Sequence, residues 1–156
     1  MWSHYAGTSK QNEGKMISGI NHITLSVTDL DRSFNFYVEL VGLTPVVRWY
    51  KGAYLTAGDL WISLTLDEKT RRAPLNEYSH IAFSVEKEDF ESMRKNLQDN
   101  GVEKWQENHS EGDSFYFLDP DGHKLEIHIA GLHNRLKAMK KNPPEDLVFY
   151  NHNDET

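Results

Sequence analysis

Two histidines head the same short pattern: His22-Ile23-Thr24-Leu25-Ser26-Val27 recurs 58 residues later as His80-Ile81-Ala82-Phe83-Ser84-Val85, with four of the six residues identical. A carboxylate, Glu126, lies near the end of the patterned region, in the run Lys124-Leu125-Glu126-Ile127-His128. Two imidazoles and one carboxylate make a facial ligand set for a divalent metal and leave coordination positions open for water or substrate. Manganese, iron and zinc all suit such donors. A lone histidine near a strand start is more simply a hydrogen-bonded residue, so the argument for ligation rests on the paired occurrence. His128 shares the face of Glu126, as an alternative ligand or as a group that hydrogen-bonds to one.

These residues must be positioned by something, and the repeat says what. Each copy of the motif precedes a 3.6-residue apolar stripe, Leu30, Phe34, Tyr37, Val38 and Val41 in the first and Phe90, Met93 and Leu97 in the second. Thr28 or Asp29 caps the first stripe, and Gly42 and Gly101 end the two. Three strand-like runs follow each helix: Pro45–Trp49, Ala53–Thr56 and Leu60–Leu66, then Val102–Gln106, Ser114–Leu118 and Lys124–Ile129. The expected fold is therefore α+β, from two βαβββ modules at about 16–70 and 76–131, followed by a helix at about 132–141. Residues 1–15 read as an extension or leader, and 151–156 as a loose end. Alternation sets the faces. Ile23, Leu25 and Val27 oppose His22, Thr24 and Ser26; Ile81, Phe83 and Val85 oppose His80, Ala82 and Ser84; Leu125, Ile127 and Ile129 oppose Lys124, Glu126 and His128. The apolar faces suit packing against helices. The others suit a curved, open sheet around a wet metal cavity.

Composition removes several function classes. A net charge of −7 over 156 residues argues against a nucleic-acid binder working by phosphate neutralisation. With no cysteine, disulfides, thiolate metal sites and a cysteine nucleophile are excluded, so any sulfur chemistry needs a thiol brought in as substrate. No apolar run is long enough for a membrane span and no secretory signal is visible, which makes a cytoplasmic location the expectation. The loop Asn108-His109-Ser110-Glu111-Gly112-Asp113-Ser114 either cradles an anion or a monovalent cation or is simply a polar turn. Asp119-Pro120-Asp121-Gly122-His123 reads as a tight hairpin turn and nothing more. Lys137, Lys140 and Lys141 read as a solvated helix face, whereas Arg135 is placed to point into the cavity.

From about Met16 to Tyr150 the chain resembles the fosfomycin-resistance glutathione transferases of the vicinal oxygen chelate superfamily. The paired His-Ile strands carry the resemblance together with the run from Ser110 to Glu126 (SEGDSFYFLDPDGHKLE), Gly52-Ala53-Tyr54 and Leu60-Trp61. It implies a homodimer with modules exchanged between subunits, His22 coming from one subunit and His80 with Glu126 from the other. It further implies manganese, potassium as activator, and addition of a thiol, glutathione, to the epoxide of the antibiotic fosfomycin. By position, Thr24 would contact the oxirane oxygen and Tyr54 the incoming thiol. Ser110, Tyr116 and Arg135 would hold the phosphonate, with Trp61 also in the substrate site. Asn108, Ser110, Glu111, Gly112 and Ser114 would form the potassium loop.

Three positions depart from the family pattern: Gln106 replaces a lysine on the phosphonate side, and His109 and Lys51 replace an arginine and a glutamine on the thiol side. They predict weaker phosphonate binding or a changed choice of thiol. The rival readings are an epoxide hydrolase, a ring-cleaving dioxygenase or isomerase of the same superfamily, and a non-catalytic drug-binding protein. The hydrolase needs an added carboxylate base, and none lies between Val46 and Ala57.

Overall fold

The computed structural model describes residues 16–110 and 112–150. The expectations for 1–15, Glu111 and 151–156 lie outside the described residues. Two four-stranded sheets are formed by β1 (His22–Val27), β2 (Thr44–Trp49), β3 (Gly52–Ala57) and β4 (Leu60–Leu66), and by β5 (Ile81–Ser84), β6 (Lys104–Gln106), β7 (Ser114–Leu118) and β8 (Lys124–His128). Helices α1 (Leu30–Asn35) and α2 (Lys87–Asp99) follow the first strand of each set, and α3 (Leu132–Lys141) closes the described chain. The sheet orders are β1-β4-β3-β2 and β5-β8-β7-β6, with β1–β4 and β5–β8 parallel and the other pairs antiparallel. Both modules are therefore βαβββ units of one topology, open rather than closed. The register shifts on β2 and β6 also fall at matching places, between Pro45 and Val47 and between Lys104 and Gln106.

The apolar faces pack as the alternation requires. Leu25, Val27, Leu55, Ile62 and Leu64 of the first sheet and Phe117, Leu125 and Ile127 of the second are buried in one continuous core. Leu97 and Phe90 of α2 join it, with Met93 at its edge. The first helix differs from its expected form. Asp29 caps it, its carboxylate accepting from the Arg32 amide, but after Asn35 the chain widens into a π-helical turn at Phe36–Leu40. Of the expected stripe Leu30, Tyr37 and Val41 are buried and Phe34 and Val38 partly covered, while Ser33 and Phe36 are buried as well.

The Asp119–His123 turn is a correction to the sequence reading: it fastens one module to the other. Asp119 and Asp121 are 4% and 2% exposed. Asp121 accepts hydrogen bonds from the Thr28 amide (3.2 Å), the Thr28 hydroxyl (2.5 Å), Ser33 Oγ (3.3 Å) and the Arg32 guanidinium (3.0 Å). Asp119 Oδ2 accepts from the Tyr37 hydroxyl at 2.7 Å, and His123 Nε2 meets the Ser26 carbonyl at 2.8 Å. Every partner lies in the first module, at the end of β1 or on the helical segment that follows. Burial and the adjacent Asp119 push the Tyr37 phenol well above its ordinary pKa, so it remains a proton donor. Gly122 is obligatory here: at φ +90° a side chain is strained, and a Cβ would meet the Ala73 carbonyl carbon and Pro74 nitrogen at 2.7 Å.

Removal of Asp121 leaves the buried Ser33 hydroxyl and the partly buried Thr28 amide and hydroxyl without this acceptor. Asp121→Ala is expected to cost about 3–5 kcal/mol in urea unfolding. Arg32→Ala, whose guanidinium is half in solvent, is expected to cost under about 1 kcal/mol. Equal losses for the two would show that the ion pair, and not the neutral donors, holds the turn.

Candidate metal centre

Glu126 stands at the middle of β8 and His80 just before β5, where the parallel β5–β8 register brings their side chains over one face of the second sheet. His80 Nε2 lies 2.9 Å from Glu126 Oε2. The opposite edge of the ring is fixed, because Nδ1 is 2.8 Å from the Tyr78 carbonyl and can only donate to it. With Nδ1 so engaged, Nε2 is the ring atom that faces the carboxylate. Ligand bonds of about 2.1 Å at right angles separate adjacent donors by about 3 Å, so these two atoms fit neighbouring corners of one coordination sphere. Glu126 is 6% exposed, and a buried carboxylate is costly without a counter-charge. The donor set fits a divalent ion.

The cleft of about 460 Å³ around this pair is lined by Ser110, Tyr116 and Arg135, together with Tyr78 and His128. Tyr116 is paired across the β7–β8 ladder with Glu126, and its hydroxyl lies 3.5 Å from Ser110 Oγ. Burial, with a contribution from the Glu126 charge, raises the Tyr116 pKa and keeps it a donor. Arg135 projects from the first turn of α3, and its guanidinium makes no hydrogen bond or ion pair among the described residues. A guanidinium, a phenol and a hydroxyl converging beside an ion site can bind a tetrahedral oxyanion. The neighbouring loop is braced by Asn108, whose amide donates to the Gly112 carbonyl (2.8 Å) and whose Oδ1 accepts from the Ser110 amide and hydroxyl (both 2.9 Å).

The other expected site residues lie on the first sheet. His22 and Thr24 are exposed on the same face of edge strand β1. The His22 ring lies 4.4 Å from that of Trp61, its partner across the β1–β4 register, and Trp61 is 4.8 Å from Tyr54. Trp61 Nε1 is buried with no hydrogen-bond partner among the described residues, a donor that awaits an acceptor. His22 Nδ1 is 2.7 Å from Asn21 Oδ1, which leaves its Nε2 free. Among the described residues, no three His, Asp or Glu side chains of a single chain come together to hold an ion. Two of the three expected ligands, His80 and Glu126, stand together, and His22 stands apart.

The ladders show how the two modules differ at this place. Tyr54 pairs with Ser63 as Tyr116 pairs with Glu126, and Thr24 pairs with Ser63 as Ala82 pairs with Glu126. Ser63 is thus the counterpart of Glu126, and the first module has no carboxylate at the equivalent place. Of the departures named above, Gln106 donates to the Tyr78 hydroxyl at 3.3 Å, at the margin of the cleft. The sequence offered no signal for Tyr78, which anchors His80 through a backbone carbonyl that any residue would supply.

Comparison with known proteins places this geometry. Residues 19–127 match the model of the glyoxalase/bleomycin resistance protein/dioxygenase superfamily. Glutathione transferase FosA of Serratia marcescens is 51% identical over 136 residues, covering 86% of this chain and 96% of that protein. Metallothiol transferase FosB of Shouchella clausii is 37% identical, covering 85% and 94%. Among solved structures, the fosfomycin resistance protein FosX of Listeria monocytogenes superposes with a TM-score of 0.70 at 31% identity, covering 78% of this chain and 99% of that one. A mutant of that protein was solved with Mn(II) and 1S,2S-dihydroxypropylphosphonic acid, at a TM-score of 0.69 and 29% identity, with coverage of 78% and 99%. Paired modules of one topology, a half-built ligand set and these likenesses agree: the chain belongs to the glyoxalase/bleomycin resistance protein/dioxygenase superfamily and, within it, to the family of the fosfomycin-resistance thiol transferases.

Proposed function

We propose that this protein is a metal-dependent transferase that adds a thiol to the epoxide of fosfomycin and so confers resistance to the antibiotic. The observation that carries the reading is one cleft in which His80 and Glu126 stand beside Ser110, Tyr116 and Arg135, a cation site next to an oxyanion site. Fosfomycin presents an epoxide beside a phosphonate, the two kinds of group that such adjoining sites would take. The likeness to FosA and FosB supports the thiol, and the Mn(II) in a FosX structure supports manganese.

In this reading Arg135 makes a forked contact to the phosphonate, with Ser110 and Tyr116 as further donors. A divalent ion bound by His22, His80 and Glu126 would supply Lewis acidity toward the ring oxygen. The thiolate sulfur bonds to one ring carbon as that carbon's bond to oxygen breaks, and the oxygen keeps the electron pair and takes a proton. Thr24 is the residue assigned to that oxygen, and Tyr54 to the approaching thiol. Holding both reactants together contributes through effective molarity. His22, Thr24, Tyr54 and Trp61 lie on the first sheet and the remaining groups on the second. The complete site therefore takes the first module of one chain and the second module of another, in a homodimer. Strands β1 and β5 are both sheet edges, open to such an arrangement. Glutathione is the proposed thiol, and potassium in the Asn108–Ser114 loop the proposed activator. Among the described residues no helix is long and apolar enough to cross a membrane.

The direct test incubates the manganese-loaded protein with fosfomycin and glutathione, bacillithiol or cysteine and follows the products by phosphorus NMR. A thiol adduct is expected; a diol formed without thiol would identify a hydrolase instead, and no turnover with any thiol would sink the transferase. Glu126→Ala is expected to lose bound manganese and activity together while its circular dichroism spectrum is kept. Gln106→Lys adds a cation at the cleft margin and is expected to lower KM for fosfomycin by about three- to tenfold, with little change in kcat. An unchanged KM would remove Gln106 from the phosphonate site.

A further inference from the structure

The Glu126 carboxylate has two oxygens, and the structure treats them differently. Oε2 faces His80, whereas Oε1 accepts a hydrogen bond from Ser114 Oγ at 2.6 Å. Ser114 Oγ in turn lies 2.6 Å from His128 Nδ1. A serine hydroxyl has one proton to give. An ionised carboxylate has none, so that proton goes to Glu126, and Ser114 must accept from an N–H at His128 Nδ1. His128 Nδ1 is itself 3.6 Å from Oε1 and reaches the carboxylate only through the serine. Because this nitrogen carries the proton, it is not the one to coordinate an ion.

The relay is built into the fold. Ser114 and His128 are direct partners across the β7–β8 ladder, two residues beyond the Tyr116–Glu126 pair. Gly112, at φ +83°, lies against the imidazole: a Cβ there would come within 3.4 Å of His128 Cε1 and 3.3 Å of Ala130 Cβ. The first module offers an internal control. The positions equivalent to Ser114 and His128 are Gly52 and Thr65, paired in the same register, so the relay is absent where Ser63 replaces the carboxylate.

From these contacts we infer that His128 and Ser114 are positioning residues, a hydrogen-bonded relay that occupies one oxygen of Glu126 and presents the other to the metal as a single-point ligand. The inference rests on the metal site proposed above. Groups that orient a ligand from behind are worth about 10- to 100-fold in metal affinity, and that scale sets the test.

The dissociation constant for Mn(II) alone is measured on the full chain by the electron paramagnetic resonance signal of the free ion. His128→Phe keeps a ring but removes the N–H, and Ser114→Ala removes the bridge; each is expected to weaken Mn(II) binding about 10- to 100-fold. The double variant is expected to bind no more weakly than the weaker single one, because both break one chain. His128→Asn sets an amide N–H near the place of Nδ1 and is expected to restore affinity to within about fivefold of the parent. Should His128→Phe fail to fold, His128→Gln, whose amide reaches the Nε2 position instead, serves with the same expectation of loss. Parent-like affinity in the variant without the Nδ1 donor, losses that multiply in the double, or an Asn variant as weak as that variant would each overturn the relay. A parent protein that binds no Mn(II) would overturn the metal site and the relay with it, and that outcome is distinguishable because it precedes any substitution.

Discussion

A buried carboxylate, Glu126, is the constraint around which the second module is organised. Removing an ionised carboxylate from water is costly unless hydrogen bonds and a counter-charge replace the lost hydration. Glu126 has Ser114 on one oxygen and His80 near the other, and the nearest guanidinium, Arg135, is exposed on α3 at the rim of the cleft. The balance left over is a site for a cation. The surrounding features follow from holding that balance in place: the Tyr78 carbonyl that turns His80, the ladder that aligns Tyr116 with Glu126, and the glycine that lets the 108–114 loop approach His128.

Duplication supplied the scaffold, and divergence decided which copy does what. The two ladders superpose residue for residue, with Tyr54 opposite Ser63 and Tyr116 opposite Glu126. The first copy kept the histidine and the tyrosine but carries serine where the second has a carboxylate. It can contribute a ligand and an aromatic wall of His22, Trp61, Tyr54 and Trp49, but it cannot build a centre of its own. The unpartnered Trp61 indole N–H belongs to the same picture. A buried donor without an acceptor costs about 1–3 kcal/mol, which a polar group brought to this face would recover.

Much of this was legible in the residues. Period-two alternation in His22–Val27 and Lys124–His128 set the inward and outward faces, and the structure keeps them. The repeat set the order of elements within the two modules, and the separately expected helix after them forms at Leu132–Lys141. What escaped was whatever depends on a long-range partner. The π-helical turn at Phe36–Leu40 has no local signature, because a 3.6-residue stripe through Phe34 and Val38 looks as good as one through Ser33 and Phe36 until the core is present. Asp119 and Asp121 have turn chemistry, and nothing near them in sequence tells that their acceptors are filled by Thr28, Ser33 and Tyr37 about 80–90 positions away. His128 could be placed on the correct face, but choosing between ligand and hydrogen-bond donor required knowing that Ser114 stood opposite.

The turn and the metal site are linked through the topology, which argues for a division of labour along one β-hairpin. β7 and β8 carry Ser114, Tyr116, Glu126 and His128 toward one end, and the Asp119–His123 turn that joins them clamps onto the first module at the other. Most of the clamp's donors are neutral, from Thr28, Ser33 and Tyr37, and the carboxylates that accept from them are buried, which limits screening by salt. A hairpin anchored in this way cannot slide against its neighbours, because a shift of one residue would turn Glu126 into the core and Leu125 into the cleft. The polar turn therefore fixes the register that keeps a charged residue on the open face, far from where its own hydrogen bonds are made.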